Sequence, residues 1–386
     1  MTGAVSAALL EDVRERLAAR GAPFTPQQVA AALRERGSPV GDTTVLAVHE
    51  ALRRDVVGAG VLDPLLREPG VTDVLVNGAD QVWVDRGGGL ERAPVRFRDE
   101  EEVRALAQRL VASGGRRLDD ATPYADVRLV DGTRCHAVLS PVAHPGTVVS
   151  LRVPHRAGLS LDDLAARGAL TPAGLALVRR VVASGTAFLV SGGTGSGKTT
   201  LLAAMLAEVD PAHRLVLVED SAELRPPHPH VVGLESRPPN VEGAGAIVLR
   251  DLVRQALRMR PDRLVVGEVR GAEVVDLMAA LNTGHEGGCG TLHANAAADV
   301  PARVEALALG AGLGRDAAHS QFASAIEVVL HLVRDPDGRR RLSEVAVPDR
   351  DSSGLVVMKP AVTFDRVGTP REGPGCDRLA RRWEGT

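Results

Sequence analysis

Lysine is almost absent from this sequence. Of its 46 lysine and arginine residues, only Lys198 and Lys359 are lysines, so arginine occupies nearly every other cationic position. A compact ammonium and a planar guanidinium are not interchangeable at a tight phosphate site. The lysine retained inside a glycine-rich stretch, Lys198, therefore indicates chemistry rather than surface charge.

Cysteines, aromatic residues and long apolar runs are also scarce. The three cysteines lie far apart without a C-x-x-C pair, which excludes a disulfide framework or a cysteine zinc site and favours a reduced, cytoplasmic protein. Aromatic residues make up 2% of the chain and its net charge is -3, so stacking on single-stranded nucleic acid and general polyanion binding are disfavoured. The chain has no apolar run of ~18 residues and no signal-peptide pattern at its start, so we expect no transmembrane segment.

Residues 192–199, Gly-Gly-Thr-Gly-Ser-Gly-Lys-Thr, fit the phosphate-loop pattern G-x-x-x-x-G-K-[ST]. The apolar run before them predicts a strand over 187–191, and the run after them predicts a helix over 198–208. Glycines let backbone N–H groups approach phosphate oxygens, while Lys198 supplies a cation and Thr199 a hydroxyl for Mg²⁺. A glycine-rich turn with an exposed lysine is the structural alternative. The predicted ATP-binding residues are Gly192, Gly193, Thr194, Gly195, Ser196, Gly197, Lys198, Thr199 and Thr200.

The pattern of strands and helices predicts several divisions of the chain. Alternating strands and helices over 171–348 predict a mostly parallel, doubly wound α/β sheet with its ligand at the carboxyl ends of the strands. Before it, short strands joined at Asn77-Gly78 predict a smaller α/β domain with an antiparallel sheet. The amphipathic helices at the start fit either a solvated bundle or a docking module. The predicted divisions are a helical segment (1–66), an α/β domain (67–158), a polar linker (159–170), the phosphate-loop domain (171–348) and a poorly ordered tail (349–386).

Two further predicted strands end in acids. Residues 264–267 form an apolar run that ends at Glu268, which would hold Mg²⁺ or polarise the attacking water. Glu219, Asp220 and Glu223 follow another apolar strand and form a second candidate group. The structural alternatives are a surface acid at a strand end and acids that serve as caps or loop charges.

The stretch 284–295 is rich in glycine and histidine. Its glycines break any helix, so it does not form an H-E-x-x-H zinc site. It fits a flexible loop that leads to a short strand ending in His293, whose neutral imidazole would sense the γ-phosphate of ATP. A packed or solvated histidine is the alternative. We interpret Cys289 as a small packed residue rather than a nucleophile, because no base is placed to activate it.

These motifs, in this order, resemble the type II/type IV secretion-system ATPase superfamily, and most of all the assembly ATPase of tight-adherence (Flp) pili. Three of its motifs are similar to residues 219–224 (the Asp box), 260–270 (Walker B) and 284–295 (the His box), while 71–78 and 131–134 resemble the amino-terminal domain of that branch. The resemblance implies a RecA-like ATPase domain behind a smaller, PAS-like α/β domain. The chain lacks the four-cysteine insertion of some type II secretion members, so that subtype is disfavoured.

The resemblance also assigns roles to the candidate residues. It implies that Lys198 and Thr199 bind ATP and Mg²⁺, and that Glu268 and Glu223 share metal binding and water activation. It implies that His293 reads the γ-phosphate. Catalysis would then depend on residues from four separate motifs.

The same resemblance predicts the assembly and its function. It implies that Arg134 and Arg152 reach the nucleotide from the amino-terminal domain, in a homo-hexamer that acts on an inner-membrane platform protein. We predict a cytoplasmic protein, peripheral at the inner face of the cytoplasmic membrane. Its predicted function is an ATP-hydrolysing motor for assembly of a tight-adherence or type IV-like pilus or for secretion of a substrate. The alternatives are a nucleic-acid-translocating ring ATPase, as in conjugation, and a non-catalytic, nucleotide-dependent assembly factor.

Overall fold

The computed structural model describes residues 9, 12–13, 16–17, 25–35, 41, 44–49, 52, 58–153, 158–237, 239, 244–284 and 287–384. The chain divides into two compact units, Met1–His155 and Arg156–Thr386. Within the described residues, no helix is both long and apolar enough to cross a membrane.

The amino-terminal segment is helical where it is described. Helix α1 (Pro26–Glu35) follows Thr25, whose hydroxyl accepts a hydrogen bond from the Gln28 N–H at 3.3 Å, as an N-cap does. The described apolar side chains form a cluster of their own: Val13, Leu17, Val29, Ala30, Ala32, Leu33, Val45, Val48 and Leu52. Much of the predicted helical segment, 1–66, lies outside the described residues.

The rest of unit 1 is the predicted α/β domain with an antiparallel sheet. Its strand order is β3-β2-β1-β6-β5-β4. Buried and exposed side chains alternate along the strands, as they do when one face of a sheet packs on a core. The elements are a 3₁₀ turn (Gly60–Leu62), α2 (Asp63–Arg67), β1 (Asp73–Asn77), β2 (Val82–Asp85), β3 (Leu90–Arg92), α3 (Glu100–Ser113), β4 (Tyr124–Arg128), β5 (Arg134–Val138) and β6 (Val148–Arg152).

Unit 2 contains a larger sheet with strand order β15-β14-β13-β12-β7-β11-β10-β8-β9. The strands from β12 to β9 in this order pair in parallel, which confirms the predicted doubly wound core. Successive residues of β7 face opposite apolar clusters: Phe188 and Val190 face one, and Leu189 faces the other. The strands are β7 (Phe188–Gly192), β8 (Leu215–Glu219), β9 (Val231–Glu235), β10 (Arg263–Val269), β11 (Cys289–His293), β12 (Val328–Arg334), β13 (Arg340–Arg350), β14 (Val356–Phe364) and β15 (Pro370–Glu372).

Helices connect the parallel strands. Because every strand of the parallel set runs in the same direction, their carboxyl ends share one edge of the sheet, and the candidate residues of unit 2 lie along that edge. The helices are α4 (Leu161–Ala166), α5 (Pro172–Ala183), α6 (Lys198–Ala207), α7 (Leu249–Ala256), α8 (Glu273–Leu281), α9 (Val300–Gly310), α10 (Arg315–Ala325) and α11 (Cys376–Trp383), with 3₁₀ turns at Leu257–Met259 and Ala297–Asp299.

The prediction of a poorly ordered tail over 349–386 was wrong for residues 349–384, the part of it that the structure describes. This stretch completes β13 and forms β14, β15 and α11. Trp383 Nε1 donates a hydrogen bond to Thr186 Oγ1 at 3.2 Å, and the Arg180 guanidinium lies 4.7 Å from the centre of the Trp383 ring. The proline- and glycine-rich breaks are tight turns: a Cβ at Gly373 would lie 2.4 Å from Pro360 O.

The predicted linker, 159–170, is also structured. It contains α4, which begins with a capping box between Ser160 and Asp163. Leu161 and Leu164 of this helix are buried in the unit 2 core. The polar residues that suggested a linker are therefore the exposed face and the cap of a short helix.

Candidate nucleotide-binding site

The predicted phosphate loop connects β7, which is buried along its whole length, to the start of α6. Gly192 has a φ of 152° and Gly197 a φ of 96°, values that residues with a side chain rarely adopt. A Cβ at Gly192 would lie 2.5 Å from Leu332 O and 2.6 Å from Ser196 Oγ. The glycines therefore allow a close-packed turn that ends at a helix N-terminus, the geometry that binds phosphate groups.

Lys198 is the first residue of α6 and is 9% exposed. Its ammonium donates hydrogen bonds to Gly192 O at 3.0 Å and Gly193 O at 3.1 Å, which hold it beside the loop. Burial lowers the pKa of Lys198, and the charge of Glu268 partly opposes this effect. Ser196 Oγ is buried and has no hydrogen-bond partner among the described residues. A partly desolvated cation and an unsatisfied hydroxyl are groups that a phosphate chain would satisfy.

His293 lies beside the phosphate loop. It ends β11, which pairs in parallel with β7 so that His293 is opposite Gly192. Its Nε2 lies 2.8 Å from Thr194 Oγ1. Burial and the neighbouring charge of Lys198 lower the pKa of His293, which keeps the imidazole neutral at pH 7. Residues 285–286 of the same motif lie outside the described residues.

Glu268 lies near the end of β10 and pairs with Arg270, whose Nη2 donates to Glu268 Oε2 at 2.5 Å. The hydrogen bond to Glu268 is the main cause of the raised pKa of Arg270, and the charges of Asp220 and Glu223 raise it further. The side chain of Glu268 is 28% exposed, so its carboxylate is accessible to solvent. No role was predicted for Arg270 from the sequence. Its positive charge interacts with Glu268 and also with Asp220 and Glu223.

Glu219 anchors the turn that carries Glu223. Glu219 is 4% exposed, and its Oε1 accepts hydrogen bonds from the N–H groups of Glu223 at 3.0 Å and Leu224 at 2.9 Å. Burial raises the pKa of Glu219 to about 7. A Cβ at Gly267 would lie 2.6 Å from Glu219 Cγ, so the glycine before Glu268 makes room for this carboxyl. Glu219 therefore has a positioning role that its sequence context did not reveal.

His331 was also missed by sequence reasoning. It lies in β12 opposite Ser191, and its Nδ1 is 2.9 Å from Ser191 Oγ. Burial lowers its pKa, whereas a hydrogen bond with the Asn295 backbone raises it. The ring therefore links the strand before the phosphate loop to the segment after His293. A histidine within the otherwise apolar run of β12 was the available signal.

Cys289 is fully buried, and burial raises its pKa to about 12. A thiol with that pKa carries almost no thiolate at neutral pH. This agrees with its interpretation as a packed residue.

Arg134 and Arg152 belong to unit 1 and lie on the side of its sheet opposite the apolar core. In the cross-strand register, Arg128 pairs with Arg134 and Arg134 pairs with Arg152. Arg134 lies 3.3 Å from Asp126, and Arg152 lies 3.2 Å from Asp73. The same surface also carries Asp73, Asp85 and Asp126, so acids largely balance this row of arginines. Arg128 was not identified from the sequence.

The donors near the phosphate loop fit Mg²⁺ bound together with a nucleotide. Among the described residues, no group of three or more His, Cys, Asp or Glu residues could hold a metal ion by itself. Mg²⁺ commonly binds through one or two protein oxygens and completes its shell with substrate phosphates and water. The hydroxyl of Thr199, which lies with Thr200 in the first turn of α6, and the carboxylate of Glu268 are hard oxygen donors of this kind.

Comparison of the chain with known proteins identifies its family. Residues 55–374 match the family described as type II/IV secretion system protein. The chain belongs to this family. A putative conjugal transfer protein of Mycobacterium tuberculosis (strain ATCC 25618 / H37Rv) is 60% identical over 314 residues, which cover 80% of this chain and 89% of that protein. The probable conjugal transfer protein TrbB of Sinorhizobium fredii is 30% identical over 71% of this chain and 82% of its own length.

A solved structure supports the fold described above. The pilus retraction motor PilT with bound ADP aligns with a TM-score of 0.52 and 21% identity, over 84% of this chain and 85% of that chain. At this identity the similarity shows the RecA-like fold with its amino-terminal domain and does not assign residue roles.

Proposed function

We propose that the chain is an ATP-hydrolysing motor and that Mg²⁺·ATP binds at the phosphate loop. One observation carries the proposal: Lys198, His293 and Glu268 lie on three different elements at the carboxyl edge of one parallel sheet, close enough for their charges to act on one another. Ligands of doubly wound sheets bind at this edge. Membership of the type II/IV secretion system protein family supports a nucleotide-dependent role.

In the proposed mechanism, catalysis consists of positioning and charge neutralisation in phosphoryl transfer. Loop N–H groups and Lys198 bind the β- and γ-phosphates. Glu268 and Glu223 orient the attacking water and accept its proton. Neutral His293 donates a hydrogen bond toward the γ-phosphate. Bound Mg²⁺ would neutralise phosphate charge, held by Thr199 and Glu268.

We further propose a homo-hexamer, peripheral at the inner face of the cytoplasmic membrane, in which Arg134 and Arg152 contact the nucleotide. The directly opposite positions of these two arginines in the unit 1 sheet support this role. Each guanidinium would exchange its aspartate partner, Asp126 or Asp73, for the nucleotide. Hydrolysis would move the two units relative to each other and act on an inner-membrane platform protein. The output would be assembly of a tight-adherence or type IV-like pilus, or secretion of a substrate.

The test combines nucleotide binding and steady-state ATP turnover with the full chain. We expect Lys198→Ala to abolish binding and turnover, because it removes the cation at the loop. Lys359→Ala is the matched control, since Lys359 is the only other lysine and lies in β14, away from the loop. We expect Glu268→Gln to bind ATP and to turn it over at least about 100-fold more slowly. Wild-type turnover in Lys198→Ala, or unchanged single-turnover rates in Glu268→Gln, would refute the assignment.

The second candidate function is conjugal transfer of nucleic acid. The similarity to conjugal transfer proteins of Mycobacterium tuberculosis and Sinorhizobium fredii favours it, whereas the net charge of -3 and the 2% aromatic content do not. Stimulation of ATP turnover by DNA that disappears with added salt would favour conjugal transfer. The absence of any ATP turnover would instead favour a non-catalytic assembly factor.

A further inference from the structure

A β-hairpin flanks the phosphate loop on the side away from Glu268 and His293. It consists of β12 and β13, which are antiparallel, with Arg334 opposite Arg340. Strand β12 also pairs in parallel with β7, so that Leu332 is opposite Gly192. This register places the end of the hairpin beside the loop.

Both arginines approach the loop at its glycines. Arg340 Nε donates a hydrogen bond to Gly195 O at 2.8 Å. A Cβ at Gly197 would lie 3.5 Å from Arg340 Cδ, and a Cβ at Gly195 would lie 3.6 Å from Arg334 Nη1. Both arginine side chains therefore lie within van der Waals reach of the loop.

The charges of these arginines are not neutralised by ion pairs within the part of the chain that the structure describes. Both side chains are exposed, and among the described residues neither forms an ion pair with a carboxylate. Arg341 of the same hairpin, by contrast, pairs with Asp335 at 2.9 Å. Two cations on directly opposite residues of an antiparallel pair repel each other. An anionic ligand at the loop would relieve this repulsion.

The strand order indicates which part of a nucleotide these cations would meet. In the order β12-β7-β11-β10, the hairpin lies on one side of β7, and His293 and Glu268 lie on the other. The proposed function places the γ-phosphate near His293 and Glu268. We propose that Arg334 and Arg340 bind the α-phosphate end of the phosphate chain, an inference that rests on the proposed function. A guanidinium suits this role because its fork of N–H groups matches phosphate oxygens.

The test is calorimetric titration of the full chain with ADP and with a non-hydrolysable ATP analogue. We expect Arg334→Ala and Arg340→Ala each to raise Kd about tenfold, and by the same factor for both nucleotides, because each loses a charge-assisted contact to a phosphate that both share. The matched control is Arg339→Ala, an exposed arginine of the same hairpin, for which Kd should stay within about twofold. For ATP turnover we expect KM to rise and kcat to stay unchanged, since binding is lost equally in the ground and transition states.

Substitution of Arg334 separates a charge effect from a loop-positioning effect. Arg340 hydrogen-bonds the loop backbone, whereas Arg334 has no hydrogen bond to it among the described residues. Arg334→Lys should recover most of the affinity lost in Arg334→Ala, and the effect of Arg334→Ala should shrink as salt is added. Affinities within about twofold of wild type in both alanine variants would overturn the inference, as would a fall in kcat with Kd unchanged. Loss of binding in Lys198→Ala tests the proposed function separately. A wild-type chain that binds neither nucleotide would overturn both proposals.

Discussion

The Glu219→Gln variant should gain stability relative to the wild-type protein as the pH rises. Folding buries the Glu219 carboxyl and raises its pKa from the ordinary value of 4.5 to about 7. The native state therefore binds this proton more tightly than the unfolded chain does. The stabilisation that this proton gives is complete below pH 4.5 and is lost as the pH rises through about 7.

The size of the effect follows from the two pKa values. Each pKa unit corresponds to about 1.4 kcal/mol, so a change from 4.5 to about 7 amounts to about 3.5 kcal/mol in full, of which about 3 kcal/mol falls between pH 4.5 and pH 8. Glutamine keeps an oxygen that can accept the N–H groups of Glu223 and Leu224 but carries no titrating proton. Its other effects on stability are independent of pH, so the difference between the two unfolding curves isolates the titration.

Urea unfolding between pH 5 and pH 8 measures this difference. The chain has two tryptophans, and Trp83→Phe leaves Trp383, which is buried in unit 2, as the fluorescent reporter. Asp251→Asn is the control, because Asp251 is exposed in α7. The reasoning would be refuted if the difference in unfolding free energy between Glu219→Gln and its parent changed by less than about 0.5 kcal/mol from pH 5 to pH 8.

Three further outcomes follow from the packing of unit 2. Gly267→Ala should destabilise the fold by about 1–3 kcal/mol, because its Cβ would lie 2.6 Å from Glu219 Cγ. Gly233→Ala is the control and should not destabilise the fold, because Gly233 has open space around it. Equal urea midpoints for the two variants would contradict this prediction. Trp383→Ala should cost about 3–5 kcal/mol by thermal melting, whereas an unchanged midpoint would mean that α11 does not pack on the core. In NMR titrations, the pKa of His293 should lie below 6.5, and a value above 6.5 would contradict its surroundings.

Local patterns alone predicted most of the elements and the order of the motifs. The run of apolar residues before Gly192 and the glycines after it could form little other than a buried strand and a phosphate loop. The apolar run ending near Glu268 likewise predicted a strand whose end carries an acid. The Asn77-Gly78 turn predicted the first hairpin of unit 1 correctly. These features depend on neighbours within a few residues, so they can be read without the fold.

Two segments were predicted wrongly, the end of the chain and the linker. The structure of the first depends on residues that are distant in the sequence. The proline- and glycine-rich end of the chain resembled a mobile tail, but its turns fit against β14 and its Trp383 reaches Thr186. Nothing near Trp383 in the sequence identifies that partner. The capping box at Ser160 was a local signal that the polar composition of the stretch obscured.

The sequence by itself located the candidate phosphate loop, because its glycines, its lysine and the start of the helix are contiguous. Only the tertiary structure decided what surrounds that loop. Strand register brings His331 to Ser191 and Arg340 to Gly195. The last of these contacts joins residues 145 positions apart. Hydrogen bonds across a sheet depend on which strands are neighbours, and no local pattern specifies that order.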